Sequence, residues 1–155
     1  MSNATSVVLA LLMGVIAGLR AMTAPAVVSW AARYGRLPLE GSWLAFFGKA
    51  LTPWIFTVLA IVELVGDQLP KTPSRKVPIQ FGTRILSGAL CGAAIAHGAP
   101  IAGLVAGAVG AVIGTLGGAA ARARLAAAFK SDRPAALLED AVAIGGAILI
   151  VMVTS

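Results

Sequence analysis

Five ionisable residues stand in or beside long apolar stretches of this sequence. Arg20 interrupts one such stretch, Glu63 and Asp67 close a second, and Glu139 and Asp140 open another. Charged side chains inside apolar spans are rare and usually mark a path for an ion or a substrate. Glu63 and Asp67 are four residues apart and share one face of a helix. The chemistry that the four carboxylates, Glu63, Asp67, Glu139 and Asp140, support is cation binding or proton relay.

Arg20 is followed by two residues that change a helix locally, Thr23 and Pro25. Pro25 lacks an N–H group, so a helix running through it leaves the Ala21 carbonyl without its usual partner. A kink beside a guanidinium group, with Thr23 as a hydrogen-bond donor, predicts an anion-binding spot. The alternative is that Arg20 reaches outward to the interface or pairs with a carboxylate and locks the structure.

The composition indicates what kind of protein holds these charges. Of the 155 residues, 59% are hydrophobic and 12% are charged, with a mean hydropathy of +0.93. Soluble domains carry about 25% charged residues, so this chain could not cover a water-facing surface. The net charge is +6, but aromatic residues are 6% and no basic–aromatic patch indicates a nucleic-acid partner. We predict one integral membrane domain, residues 1–155, with membrane lipids as its surroundings.

Five apolar segments approach the length of about 20 residues that a membrane helix needs. They comprise residues 7–30, 51–66, 85–96, 101–121 and 135–153. The sequence therefore predicts an all-α, polytopic transmembrane helical bundle of about five spans. The first two spans and the last two run in opposite senses, and each pair has acids in its second member. This pattern indicates an inverted repeat, which is common in transporters.

Lysine and arginine residues predict the orientation. With the N-terminus in the cytoplasm, the two inner loops hold eight cations: Lys71, Arg75, Lys76, Arg84, Arg122, Arg124, Lys130 and Arg133. The outer side holds three: Arg33, Arg36 and Lys49. The positive-inside rule then predicts a multi-pass protein of the bacterial inner membrane, N-terminus in and C-terminus out. If residues 20–25 break the first helix into a re-entrant hairpin, the topology changes.

In this topology four carboxylates are predicted to meet, those of Glu63, Asp67, Glu139 and Asp140. At 1.5 Å per residue, all four lie within roughly 15 Å of the cytoplasmic interface. Arg84, Arg122 and Arg124 are expected at the same level, so pairing that fastens the helix ends is favoured over a cation site.

Small residues form a second pattern. The fourth segment has glycines at intervals of 4, 3, 4 and 3, the spacing of one seam on a left-handed helix pair. Small faces let membrane helices approach closely. We expect packing within one protomer or across a homo-oligomer, in preference to a glycine-lined pore. The glycines concerned are Gly14, Gly18, Gly88, Gly92, Gly103, Gly107, Gly110, Gly114 and Gly117.

Residues 69–78 contain three prolines and the cations Lys71, Arg75 and Lys76. Proline prevents a continuous helix here, so we expect an extended strap. Its candidate partner is an anionic lipid headgroup, and the alternative, which is favoured, is that the cations only mark topology.

No enzyme motif is present, and we expect neither a cofactor, a metal nor an enzymatic activity. The single histidine, His97, lies in a turn, which disfavours a histidine metal site. The single cysteine, Cys91, lies in an apolar run and is interpreted as a small buried apolar residue. The sequence has no nucleophile elbow, phosphate loop or zinc-protease motif.

Four stretches of the chain, residues 17–25, 63–75, 84–90 and 139–146, resemble a bacterial membrane family, the domain of unknown function 4126. The resemblance extends over almost the whole chain and implies no activity. Gln68 departs from it, because the family more often has a basic residue there. The resemblance implies that seven residues belong to recurring motifs: Arg20, Glu63, Asp67, Arg75, Arg84, Glu139 and Asp140.

Two functions are consistent with these patterns. One is a small transporter or channel for an ion or small solute, which predicts a polar cavity at Arg20 or at the carboxylates. The other is a non-transporting structural or accessory membrane protein, which oligomerises or binds a larger partner through its glycine seams. A membrane-embedded enzyme acting on lipid is a third, weaker hypothesis.

Overall fold

The computed structural model describes residues 1–69 and 77–155, and within these ranges it contains six α-helices, one 3₁₀ turn and no strand. The predicted all-α fold is confirmed for these residues. A 3₁₀ turn, Ala45–Gly48, lies between α2 and α3. The helices are α1 (Asn3–Leu19), α2 (Thr23–Arg33), α3 (Thr52–Gly66), α4 (Pro78–Ile95), α5 (Pro100–Phe129) and α6 (Asp132–Thr154).

Residues 7–30, counted as one interrupted span in the sequence, form two separate helices. Helix α1 ends at Leu19, Arg20 has an extended backbone with φ −139° and ψ 109°, and α2 begins at Thr23. Pro25 is therefore the third residue of a new helix. Its missing N–H costs little there, because the first N–H groups of any helix lack intrahelical partners. The proline that the sequence placed at a kink instead helps to begin α2.

Helix α5 packs against both α1 and α4, which also touch each other. Gly14 and Gly18 of α1 meet α5 near Gly107 and Gly114 respectively, so α1 and α5 run in the same direction. Gly92 of α4 meets α5 near Gly103, while residues earlier in α4 meet later residues of α5, so α4 is antiparallel to both.

Helices α1 and α2 form an antiparallel hairpin. Arg20, at the turn between them, contacts Asp140 of α6. Moving away from this turn, Ile16 of α1 and Val27 of α2 both lie beside residues 146–148 of α6. The two helices therefore run back along the same part of α6. This is the broken first helix that the sequence analysis gave as an alternative.

The six helices consequently alternate in direction. We call the end that holds the 20–22 turn and the α5–α6 connection the charged end. The first residue of α1 and the last residue of α6 both lie at the opposite end, whereas a five-span path would separate them. Helices α1–α3 and α4–α6 run in opposite senses, as an inverted repeat requires. In such a repeat the contact of α1 with α5 would be matched by a contact of α4 with α2. Helix α1 lies along α5, but α4 touches α2 only briefly. The inverted repeat stays a prediction.

Large apolar side chains lie mainly outside the bundle, and small ones inside. Most of the buried apolar residues are alanines. By contrast, Val62 of α3 is 61% exposed and Leu149 of α6 is 63% exposed. Among the described residues, α5 and α6 are long and apolar enough to cross a membrane, and α1 and α3 are shorter apolar helices. About five spans is therefore not confirmed.

Eight of the nine glycines highlighted by the sequence lie where helices touch. A Cβ atom added at any of the eight would lie less than 3.0 Å from a backbone atom of another helix. At Gly117 a Cβ atom would meet nothing within 4 Å. The interpretation of one seam along α5 is wrong, because Gly103 faces α4, Gly110 and Gly114 face α1, and Gly107 touches both. A straight helix drifts about 20° per heptad, so its glycine stripe passes from one neighbour to the next.

Candidate functional site

A carboxylate from α3 caps the start of α2. Glu63 Oε1 accepts a hydrogen bond from the Ala21 N–H at 2.8 Å, and Oε2 accepts one from the Met22 N–H at 2.9 Å. Met22 is the N-cap residue of α2 and Ala21 precedes it, so the carboxylate lies at the helix start, where the helix dipole favours negative charge. Glu63 thus stabilises the turn that separates α2 from α1.

A buried arginine from α4 caps the end of α1. Arg84 Nη1 donates to the carbonyls of Gly18 and Leu19 at 2.7 and 2.8 Å, and its side chain is 4% exposed. Its Nη2 lies 3.4 Å from Glu63 Oε1. The cation therefore sits at a helix C-terminus and the anion at a helix N-terminus, as the two dipoles require. The Arg84–Glu63 ion pair thus caps both helix ends at the break.

Two hydroxyl groups satisfy further backbone oxygens at the break. Ser87 donates to the Ala21 carbonyl at 2.5 Å. Thr115 donates to the Ala111 carbonyl at 2.7 Å and lies 3.4 Å from the Gly18 carbonyl. Neither residue was predicted from the sequence to belong to a site. Ser87 lies one helical turn after Arg84 (i, i+3), and such a neighbour shares its helix face.

Arg20 is fully buried and surrounded by carboxylates. Its Nε donates to Asp140 Oδ1 at 2.6 Å, and its Nη2 contacts the same oxygen and lies 2.8 Å from Asp67 Oδ2. Its Nη1 lies 3.8 Å from Glu139 Oε1. Of the sequence-based alternatives for Arg20, carboxylate pairing is the one the structure contains. Thr23, predicted to assist an anion site, is buried, and its hydroxyl has no hydrogen-bond partner in the described part of the chain.

Arg122 connects the end of α3 to the start of α6. Its Nε and Nη2 donate to the two oxygens of Asp132 at 2.9 and 2.6 Å, a bidentate geometry. Its Nη1 contacts Asp67 Oδ2 and lies 3.9 Å from Glu139 Oε2. Asp67, just beyond α3, therefore bridges Arg20 and Arg122. Burial alone would raise the pKa of Asp67, but hydrogen bonds from Arg122 and the charge of Arg20 hold it below its usual range.

These side chains form what we call the charged cluster. It contains five of the six acidic residues in the sequence. Three arginines face five carboxylates, which leaves a formal charge of 3 − 5 = −2. Exposure falls from 61% at the Asp132 side chain to 16% at Asp67 and 0% at Arg20. The members are Arg20, Glu63, Asp67, Arg84, Arg122, Asp132, Glu139 and Asp140.

The structure thus brings together the five ionisable residues found in or beside the apolar stretches of the sequence: Arg20, Glu63, Asp67, Glu139 and Asp140. Pro25 lies in the first turn of α2 and Arg124 is exposed on α5. The predicted headgroup cations Lys71, Arg75 and Lys76 lie outside the described residues. Within residues 1–69 and 77–155, no three histidine, cysteine or acidic side chains are grouped so that they could hold a metal ion.

The fold and the cluster define an all-helical bundle with close glycine contacts at its centre and ion pairs at one end. Residues 7–154 match the model of a domain of unknown function, DUF4126. The chain belongs to this family, which confirms the resemblance seen in its sequence. No curated protein and no solved structure matches the chain.

Proposed function

We propose that the chain is an integral, multi-pass protein of a bacterial inner membrane. The distribution of side chains supports this proposal. Monomeric soluble proteins rarely expose contiguous apolar patches larger than a few hundred Å². Here large apolar side chains are exposed along α3, α5 and α6, whereas alanine and glycine fill the interior. Lipid is the solvent that suits this arrangement, since small residues let membrane helices pack without a hydrophobic drive.

The orientation within the membrane changes with the α1–α2 hairpin. Five of the eight cations counted for the inner loops are described, and they lie in the half of α4 or α5 nearer the charged end or in the α5–α6 connection: Arg84, Arg122, Arg124, Lys130 and Arg133. The positive-inside rule therefore places the charged end in the cytoplasm. The start of α1 and the end of α6 then lie outside, in place of the N-in, C-out orientation derived from five spans.

Labelling with a membrane-impermeant maleimide tests this orientation. In a Cys91→Ser background, Ser2→Cys and Ser155→Cys should both react in intact cells, and Ser131→Cys should react only after the membrane is opened. Reaction at one of the first two positions but not at the other would restore the five-span path. Recovery of the protein in the soluble fraction would contradict the proposed membrane location.

We further propose that the bundle is a small transporter or channel for an ion or small solute. The observation that carries this is a fully buried Arg20 at a helix break, among carboxylates that are partly exposed toward one end. Replacing a buried ion pair by packed apolar residues is often neutral or stabilising. Stability alone therefore does not account for five carboxylates and three arginines here. Broken helices with polar groups at their ends form the binding sites of many transporters.

Flux in proteoliposomes tests transport. Wild-type protein should dissipate an imposed proton or alkali-cation gradient faster than empty vesicles, and Arg20→Ala should abolish the difference. Arg33→Ala is the matched control, because Arg33 is an exposed arginine at the opposite end. Equal fluxes for wild type and Arg20→Ala, with both proteins inserted and folded, would argue against a path through the cluster.

The second candidate is a non-transporting structural or accessory membrane protein. Arg20 faces three carboxylates in the structure, a pairing that also suits a locked bundle. Such a protein would form a homo-oligomer or bind a larger partner through small-residue faces. Its native mass in mild detergent should exceed that of one chain and its lipid, and no tested solute should cross.

A further inference from the structure

A groove opens between α2 and α6, at the end of the bundle opposite the charged cluster. It encloses about 180 Å³. One wall carries the aromatic rings of Trp30 and Tyr34, which stack with centroids 5.7 Å apart. Ile148 and Met152 of the other wall are 43% and 59% exposed. The groove therefore opens on the apolar surface that we have assigned to lipid. Its lining comprises Val27, Trp30, Ala31, Tyr34, Arg36, Ile148, Val151 and Met152.

Arg36 is the one charged residue in this lining. Its position follows from how α2 ends. Gly35 has φ +71°, the left-handed conformation that favours glycine, and the Arg36 N–H donates to the Ala31 carbonyl at 2.9 Å. This glycine-terminated motif turns the chain sharply after the helix. It fixes the Arg36 backbone at the mouth of the groove and leaves the side chain exposed.

The chain segment that carries Arg36 is basic. The connection from α2 to α3 contains Arg36 and Lys49, α2 ends at Arg33, and the acid in the same region is Glu40. Their formal sum is 3 − 1 = +2. Aromatic side chains such as Trp and Tyr are also enriched where the apolar core of a bilayer meets its headgroups. The groove thus combines an apolar floor, an aromatic wall and a cation at the level of the headgroups.

We propose that this groove binds one anionic phospholipid, with an acyl chain between α2 and α6 and its phosphate at Arg36. The inference rests on the membrane location proposed above and is independent of transport. An acyl chain fits a lining that is apolar except at one end. The positive charge at that end selects an anionic headgroup over a zwitterionic one.

Fluorescence of Trp30 provides the test. Trp43→Phe and Trp54→Phe leave Trp30 as the remaining tryptophan and retain an aromatic ring beside it, where Trp54 now lies 5.0 Å away. The protein is inserted into phosphatidylcholine vesicles that contain increasing amounts of brominated phosphatidylglycerol or, in a parallel series, brominated phosphatidylcholine. The brominated anionic lipid should quench Trp30 at lower mole fraction than the zwitterionic one.

Three variants assign the preference to the groove. Arg36→Gln should reduce the preference for the anionic lipid about fivefold, the effect of one cation near the headgroups. Arg33→Gln, which removes an exposed cation at the same end outside the lining, should leave most of it. Ile148→Phe should fill the groove and weaken quenching by both lipids.

Equal quenching by the two lipids in the wild-type protein would overturn the site, as would equal losses in Arg36→Gln and Arg33→Gln. Flotation with the vesicles is scored in every sample. Protein that does not float would overturn the membrane location and the lipid site together. Protein that floats but shows no anionic preference would overturn the lipid site alone. Neither result decides whether the cluster transports an ion.

Discussion

Helix α1 is held by two regions that work in opposite ways. Along its length, Gly14 and Gly18 meet backbone atoms of α5, with no side chain between the helices. At its end, the Gly18 and Leu19 carbonyls receive hydrogen bonds from the buried side chain of Arg84. The first region works because side chains are absent, and the second because a long charged side chain reaches across from another helix.

The two regions should respond differently to change. In the glycine contact the space is already filled by backbone, so any larger residue forces helices apart. In the charged cluster each group has partners from other elements, so the cost of a change depends on which charges it leaves unpaired. In the first region the loss of stability should therefore increase with the side-chain volume that a substitution adds. In the second it should increase with the number of charges that a substitution leaves unpaired.

The largest effect is expected at Gly107. A side chain there would meet the backbone of Gly88 and Gly92 in α4 at less than or about 3.0 Å, so Gly107→Leu should lower the free energy of unfolding by at least about 3 kcal/mol and reduce folded yield. Unfolding by SDS titration, followed by circular dichroism, measures it. Gly117→Leu is the matched control on the same helix and should be nearly neutral, because a Cβ atom there meets nothing within 4 Å. Similar losses for both variants would contradict close packing of α5 against its neighbours.

The next largest effect is expected at Arg20. Arg20→Met leaves the partly buried carboxylates of Asp67 and Asp140 without this cation, which should cost about 3 kcal/mol. The double variant Arg20→Met, Asp140→Leu should lose less than the single one, since it removes one of the stranded charges. The same SDS titration compares the two proteins. A double variant that is less stable than the single one would mean that packing, and not charge, dominates at this position.

Much of this comparison could be predicted from the sequence. The 4-3-4-3 spacing of glycine on α5 identified the helix that others approach, because small-residue faces are a local property of one segment. Which helix meets which glycine of α5 could not be predicted. Both α1 and α4 present the same small-x₃-small pattern, and α5 divides its glycines between them.

Most members of the charged cluster could also be predicted, because a charge in an apolar stretch stands out, and pairing of carboxylates with arginines was favoured. The individual pairs and the inclusion of Asp132 could not be predicted. Arg122 was expected at the level of the carboxylates, and it holds both Asp67 and Asp132. Three-dimensional proximity between residues 55 positions apart leaves no local signal. The break at Arg20 was open to two interpretations, since a proline in the first turn and a proline at a kink look alike in the sequence.

A smaller effect is expected at Glu63, where charge and hydrogen bonding can be separated. Glu63→Gln keeps one oxygen as an acceptor for the amides of Ala21 and Met22 but removes the negative charge from the start of α2 and from Arg84. We expect a loss of about 1–2 kcal/mol. Glu40→Gln, the same change at an exposed acid outside the cluster, should be neutral. A loss for Glu63→Gln no larger than that control would show that the capping charge contributes nothing to the helix break.

The smallest effect concerns Cys91, which lies within α4 beside the glycine contacts and is fully buried. If the glycine region is as closed as its backbone contacts indicate, the folded protein should not react with a small maleimide over hours. The same reagent should modify Cys91 fully after unfolding in SDS. Ser131→Cys, at the exposed connection before α6, supplies the matched reactive thiol and should be labelled within minutes. Comparable labelling rates at the two positions would show that α4 separates from its neighbours. The charged cluster, and not the glycine contacts, would then be the more rigid of the two regions.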